Sequence, residues 1–216
     1  MTDPKTLSIA IVSDVVCPWC VIGIRSLEVA LERLPGVTAD ISLHPFELNP
    51  DMPRAGESVA EHIARKYGRA PGEGGAIRDE IKRRAAEVGF AMNMNADSRI
   101  WNTFDCHRLL HWAGQEGKQH ELKMALFFAH FSEGRDMGDP AVLADAAEAA
   151  GLDREAALAL LASEACASEV RAEEHYWRRE GVQAVPTFVI NGKYVISGGH
   201  PAEAFERALG KIAAEG

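Results

Sequence analysis

Read from the amino terminus, the first patterned stretch is the β-branched, apolar run "LSIAIVSDVV", Leu7 to Val16, which predicts a buried strand. The period then changes. Ile22, Leu27, Ala30, Leu31 and Leu34 recur at helical spacing, so a helix is expected from about Cys17 to Leu34, with Pro35-Gly36 as its stop. Alternation returns in "VTADISLHPFEL", where Val37, Ala39, Ile41 and Leu43 share one face of a second strand. Strand, helix and strand form a βαβ unit, whose crossover implies a parallel pair.

Two prolines and a glycine in "NPDMPRAG" interrupt this pattern, and from about Ser58 to Ala167 only helices are expected. "SVAEHIARKYG" and "AIRDEIKRRAAEVGF" have helical period and are joined by the glycine-rich "RAPGEGG". A helix from Thr103 to Glu116 carries Phe104, Leu109, Leu110 and Trp112, and another runs from about Gln119 to Phe131. In the latter, Leu122, Leu126, Phe127 and Phe131 make a core stripe. Asp139 before Pro140, and Asp153 further on, are N-caps for two more helices. After a helix ending near Gly181, "VQAVPTFVINGKYVISGG" holds two β-rich runs split by Asn191-Gly192, a pair suited to a type I′ hairpin turn. A last helix, "PAEAFERALGKIAAEG", follows. The order is βαβ, a long helical block, then αββα. It divides the chain into a core of residues 1–52 and 165–216 and a helical insertion of residues 53–164.

Composition narrows the class. The 216 residues are 47% hydrophobic and 25% charged, enough for a packed core without disulfide staples. A net charge of -9, with no basic run or basic-aromatic stripe, argues against nucleic acid as a partner. No apolar run approaches the roughly 18 residues that span a bilayer, so no membrane partner is expected. "MTDPKTLSIAIVSDVV" lacks the build of a secretory signal, so a cytoplasmic location is expected, where thiols are kept reduced.

Against that background the stretch "SDVVCPWCVIGIRSLEVAL" stands out, because two of only four cysteines lie three positions apart where strand gives way to helix. A zinc site needs about four ligands. Cys106 and Cys166 are single and distant, and His107 and His111, although on one helical face, have no third ligand fixed by spacing. No metal is expected. Packing alone is a poor account too, since a strand-to-helix junction is the open end of a βα unit, where ligands sit. Cys17 falls at the helix start and Cys20 one turn in, where free N–H groups and the helix dipole favour a thiolate. Pro18 has no N–H to lose there and presets φ for the first turn. Such a pair beside a βαβ unit reads as a redox dithiol.

Further along, Pro186 in "AVPTFVING" sits inside a β-rich run. A cis Val185–Pro186 bond explains it, leaving the Val185 backbone to pair with an extended peptide. A trans proline at a strand's first residue explains it as well.

C-P-W-C after the first strand, the helical block and "GVQAVPTFVINGKYVISGG" together resemble the DsbA-like thioredoxin-fold thiol–disulfide oxidoreductases. "HPFELNPDMP" and "NTFDCHRLLHWA" are similar to the FrnE-type branch of that family, so the resemblance covers nearly the whole chain. It implies an α/β, thioredoxin-like fold with a large all-helical insertion. It also implies a nucleophilic Cys17, a resolving Cys20 and a cis Pro186 facing them, with protein or peptide thiols and disulfides as substrates. The dithiol itself is the redox group, so no separate cofactor is expected. Glutathione enters as a possible co-substrate, and glutathione or a thioredoxin system as the recycling partner, for a monomer or homodimer. Strongly oxidising periplasmic relatives carry a histidine between their cysteines, whereas this chain has neutral Trp19. A less extreme reduction potential follows, suited to reduction or isomerisation.

Two other functions compete. Hydroxychromene-carboxylate isomerases and kappa-class glutathione transferases are similar in fold, but generally carry serine where this chain has Cys17. A redox-inactive, peptide-binding chaperone on the same fold is the third reading, and the two intact sulfurs weigh against it. Trp19 serves either as an apolar platform for substrates or as packing over the junction. Asp14 either relays a proton or ends the strand with a local hydrogen bond. "SGGHP", with His200, is either a carboxylate cradle or an ordinary turn. Asn102 and His107 either line the cleft or pack in the core. Cys106, on an apolar helix face, and Cys166, in an alanine-rich helix, are expected to pack, and "RDEIKRR" to face solvent. "GEGG" lacks the preceding strand of a phosphate loop.

Overall fold

A computed structural model describes residues 5–68, 75–95 and 97–215, leaving aside the side chains of Lys66 and Tyr67. Most of the glycine-rich joint at 69–75 therefore lies outside the described residues. The opening unit is β1 (Lys5–Ser13), α1 (Pro18–Glu32) and β2 (Val37–Pro45), with β1 and β2 parallel from Lys5 opposite Val37 to Ser13 opposite Pro45. Near the other end, β5 (Thr187–Ile190) and β6 (Tyr194–Ser197) form a hairpin, and the sheet order is β2-β1-β5-β6. β5 runs antiparallel to β1, with Ile11 opposite Phe188 and Ile9 opposite Ile190. The turn residues Asn191 and Gly192 both have positive φ, 52° and 64°, as a type I′ turn requires.

Central position makes β1 apolar on both faces. Ile9 and Ile11 pack with Leu27, Phe188 and Phe205 beneath α1 and α9 (Ala202–Glu215). Ala10 and Val12 pack with Phe46 and Trp177 under α8 (Ala167–Arg179). The edge strand β2 keeps one face half-buried through Val37, Ala39 and Ile41 while Thr38, Asp40 and Ser42 face water.

Between the two β units lie α2 (Val59–Tyr67), α3 (Gly75–Glu87), α4 (Phe104–Gln115), α5 (Gln119–Phe127), α6 (Pro140–Ala149) and α7 (Arg154–Leu161). Ser58 and Glu61 close a capping box on α2, and Asp139 and Asp153 accept the amides of Ala141 and Ala156 as N-caps. A second apolar cluster, around Leu109, Leu122, Leu126, Met137 and Leu143, forms here. Val15 and Val16, from the β1–α1 connection, are buried in it. Exposed Arg83 pairs with Glu80 and Glu87 along α3, so "RDEIKRR" is largely solvated.

The insertion is not wholly helical. β3 (Glu57–Ser58) and β4 (Arg99–Ile100) pair antiparallel. Two-residue strands are too short to leave an alternating pattern, which is why the sequence showed none. The helix expected to run from Gln119 to Phe131 changes hand-hold at Phe128, where a π-helical turn, Phe128–Ser132, extends it. Cys166 is not inside a helix either. It is the N-cap of α8, at φ 62°.

Candidate active site

The connection after β1 delivers the dithiol. Cys17 is the N-cap of α1 with extended φ and ψ, Pro18 occupies the first helical position, and the Cys20 amide donates to the Cys17 carbonyl at 3.0 Å. The Val185–Pro186 peptide is cis, and the Cys17 Sγ donates to the Val185 carbonyl at 3.6 Å. Two glycines allow this approach. A Cβ on Gly23 would lie 3.0 Å from the Phe188 ring and 3.2 Å from Pro186, so the missing side chain lets α1 lie close against the β5 entry. A Cβ on Gly199 would lie 2.8 Å from the Trp19 carbonyl oxygen, so the turn after β6 seats against the helix start by the same means.

The junction is less open than the sequence reading held. Cys17 is 4% exposed and Cys20 fully buried, in one apolar cluster with Val185 and with Ile81, Phe127 and Phe131 from the helical block. Access runs instead through a cleft of about 790 Å³, onto which Cys17, Pro18, Trp19 and Val185 all open. Leu48, Ile63, Ile81, Met94, Trp101 and Phe131 supply its apolar walls. Trp19 is half-buried, serving both as cleft wall and as packing against Gly199.

Beneath the sulfurs lies a set of buried charges. Asp14 accepts the Leu48 amide on Oδ2 at 2.8 Å, and its Oδ1 lies 3.3 Å from His107 Nε2, without the alignment of a hydrogen bond. Burial raises the Asp14 carboxyl, but the His107 ring, the Leu48 amide and Lys123 outweigh it and hold the group below its usual range. Lys123, 1% exposed, donates to the Ser13 carbonyl at 3.5 Å and lies over the Phe127 ring. Burial lowers its pKa, against the negative charges of Cys20 and Asp14. Burial first, and then Cys17, raises the Cys20 thiol well above the ordinary range.

Lys123 escaped the sequence reading. Its signal was position: it stands beside Leu122 and four before Phe127, inside a stripe read as core. His130 escaped as well. It lies on the π-helical turn, a geometry that recurs at functional sites, and lines the cleft with Nδ1 buried and unpartnered.

Burial lowers His130 to about 4, so the folded chain holds it neutral, below its ordinary 6.5. An unfolded chain takes up that proton first as pH falls, so the stability tied to the neutral ring is complete above about 6.5 and is lost towards 4. The loss is roughly 3 kcal/mol. Urea unfolding at pH 7 and pH 4 should show a steeper acid loss for the wild type than for His130→Phe, and equal losses would contradict this.

Other positions singled out in the sequence fall outside the cleft wall. Asn102 donates to the Met52 carbonyl and accepts the Phe104 amide at the start of α4, a structural role. Cys106 is buried and directed at the Met137 carbonyl, with burial raising its thiol. His111 lies 3.9 Å from Glu173, and no metal-holding cluster of histidine, cysteine and carboxylate side chains occurs among the described residues. In "SGGHP" the Gly198 amide donates to Pro186 and the His200 amide to Gly198, which is the ordinary-turn alternative.

Residues 8–210 match the model of the DSBA-like thioredoxin domain. The chain belongs to that family. A probable DsbA oxidoreductase from Streptomyces coelicolor superimposes with TM-score 0.90 at 35% identity, over 97% of this chain and 91% of that one. The uncharacterized protein YwbO of Bacillus subtilis is 29% identical over 94% of this chain and 96% of its own length. The cytosolic disulfide reductase DsbM of Pseudomonas aeruginosa, in a structure with GSH, shares the fold at TM-score 0.63 and 16% identity, over 96% of this chain and 99% of that one. The DsbA-like thioredoxin fold therefore carries the described site, with the helical insertion forming much of the cleft.

Proposed function

We propose that this DsbA-like protein exchanges thiols and disulfides with protein or peptide substrates, Cys17 acting as nucleophile and Cys20 as the resolving thiol. One observation carries the reading: the Cys17 sulfur sits at a helix N-terminus, 3.6 Å from the Val185 carbonyl, on the wall of the cleft. Substrate backbone lies along Val185 in a strand-addition mode, with Trp19 as an apolar wall. Cys17 attacks a substrate disulfide to give a mixed disulfide, which Cys20 resolves, and the same steps reversed oxidise a substrate dithiol.

Trp19 places no ionisable side chain between the two cysteines. The dithiol is accordingly a reductant or isomerase in a reducing compartment, with glutathione or a thioredoxin system as recycling partner. Two experiments test this. Insulin reduction and refolding of scrambled ribonuclease should proceed with the purified protein and a thiol donor. Equilibration against glutathione buffers should give a potential nearer glutathione's than a strong oxidant's such as DsbA, about -120 mV. A potential at that oxidising end would overturn the reductive assignment, and absence of both activities would overturn the exchange chemistry.

A further inference from the structure

An extended peptide laid along Val185 has two edges. Successive residues of a strand turn their N–H and C=O groups to opposite sides, so pairing with Val185 satisfies one edge and leaves the other facing the rest of the cleft. Much of that wall is apolar, and most of its polar side chains are already committed within the chain. Asn93 donates to the Ser132 carbonyl, Ser132 to the Ala91 carbonyl, and Arg99 to those of Ala55 and Gly56. The Asp97 and Glu133 carboxylates lie out in water. Two imidazoles, His62 and His130, line the same cleft as Cys17 and have a nitrogen to spare.

His62 is 5% exposed, one turn into α2, where the Ser58 capping box sets the helix start beside β3. Its Nδ1 meets Glu57 Oε1, and Arg65 donates to the same oxygen at 2.6 Å. Arg65 first, and then His62, hold the Glu57 carboxyl below its usual range, so it is ionised and can only accept. The proton of the neutral ring is therefore on Nδ1, and Nε2 is an acceptor. No described residue pairs with that Nε2, which opens on the cleft. His130 is the converse. Burial holds its ring neutral, lowered to about 4, and its Nδ1 is buried without a partner. A buried N–H with no acceptor is the rarer orphan, so the proton sits on Nε2, and the edge of the ring in the cleft is a donor.

We propose that His62 and His130 read the second edge of the substrate backbone, His62 accepting an N–H and His130 donating to a C=O. The inference rests on the exchange reading above and deepens it by naming the substrate class. Peptides extended on both sides of their cysteine are preferred to disulfides without a backbone, because only they offer two edges. Glu57 is a positioning residue, which fixes the His62 tautomer. The thioredoxin-like core thus supplies the sulfurs and one strand edge, and the helical block supplies the groups that face the other edge.

The probe is acetyl-Ala-Ala-Cys-Ala-Ala-amide as a symmetric disulfide, turned over by the protein with a thiol donor. Replacing one alanine at a time with lactic acid puts an ester in place of an amide, which removes that N–H and weakens the carbonyl before it. In the wild type, the ester at the residue facing His62 should lower kcat/KM about tenfold. In His62→Phe the same ester should cost about twofold or less. An ester at a neighbouring position should show the same dependence on His130 when the wild type is compared with His130→Phe. Ester penalties equal to the wild type's at every position, in either folded variant, would overturn the inference. A purely structural role gives that result, since it lowers turnover of every analogue alike. Each variant decides by itself, so the test stands if one of them does not fold. A wild type that turns over none of the peptides would instead sink the exchange reading.

Discussion

Replacing Cys17 with serine should abolish disulfide exchange, with a loss of ~10³-fold or more in insulin reduction. A hydroxyl at the α1 N-cap keeps the shape of the site and removes the atom that forms the covalent intermediate. Cys20→Ser behaves differently. Its Cys17 still attacks, but the buried position behind it offers no second sulfur, so the mixed disulfide persists. Intact-mass measurement after mixing with a peptide disulfide should show an adduct on Cys20→Ser and none on Cys17→Ser. An adduct on both, or activity surviving in Cys17→Ser, would transfer the chemistry to Cys20, Cys106 or Cys166, whose thiols are all raised by burial.

The largest stability effect is expected far from the sulfurs, at Arg108. This buried guanidinium donates to the carbonyls of Ala165 at 2.9 Å and Leu160 at 2.8 Å, and to that of Ser163, and it pairs with Asp105 at 2.8 Å. It thereby ties α4 to the link between α7 and α8. Arg108→Ala takes the guanidinium from the Ala165 and Ser163 carbonyls, while Leu160 keeps the Ser163 amide and hydroxyl, and leaves Asp105 with Arg54 as its remaining partner in this group, at a cost of about 3–5 kcal/mol. Melting should fall by roughly 2–4 °C for each kcal/mol in a chain of this size. Denaturant unfolding that finds a loss below about 1 kcal/mol would mean the side chain behaves like a surface ion pair.

The architecture was readable where periodicity and chemistry coincide. The change from strand to helix at the first cysteine, the Asn191-Gly192 turn and the aspartate caps each have a local physical cause, so the sequence around them is sufficient. The β3–β4 pair was not readable, because its partners are distant and too short to show a pattern. In the site, the dithiol and Pro186 could be named from the sequence, but their burial could not, since the cover comes from residues far away in the chain. Asp14 had two readings and the structure adds a long-range partner, the Leu48 amide, that spacing cannot reveal. Lys123 and His130 show the same limit from the other side. A lysine in an apolar stripe and a histidine before Phe131 look like solvent-facing exceptions until the helix is packed and its last turn widened.

Val15 and Val16 have a further meaning for how such a protein is put together. Only a few bonds before the reactive sulfur, the chain passes into the apolar cluster built by the insertion's helices. Trimming those helices to a minimal sheet-and-helix scaffold would strip both valines of their cover and free the connection that leads into Cys17. The helical block and the dithiol turn are therefore packed as one body.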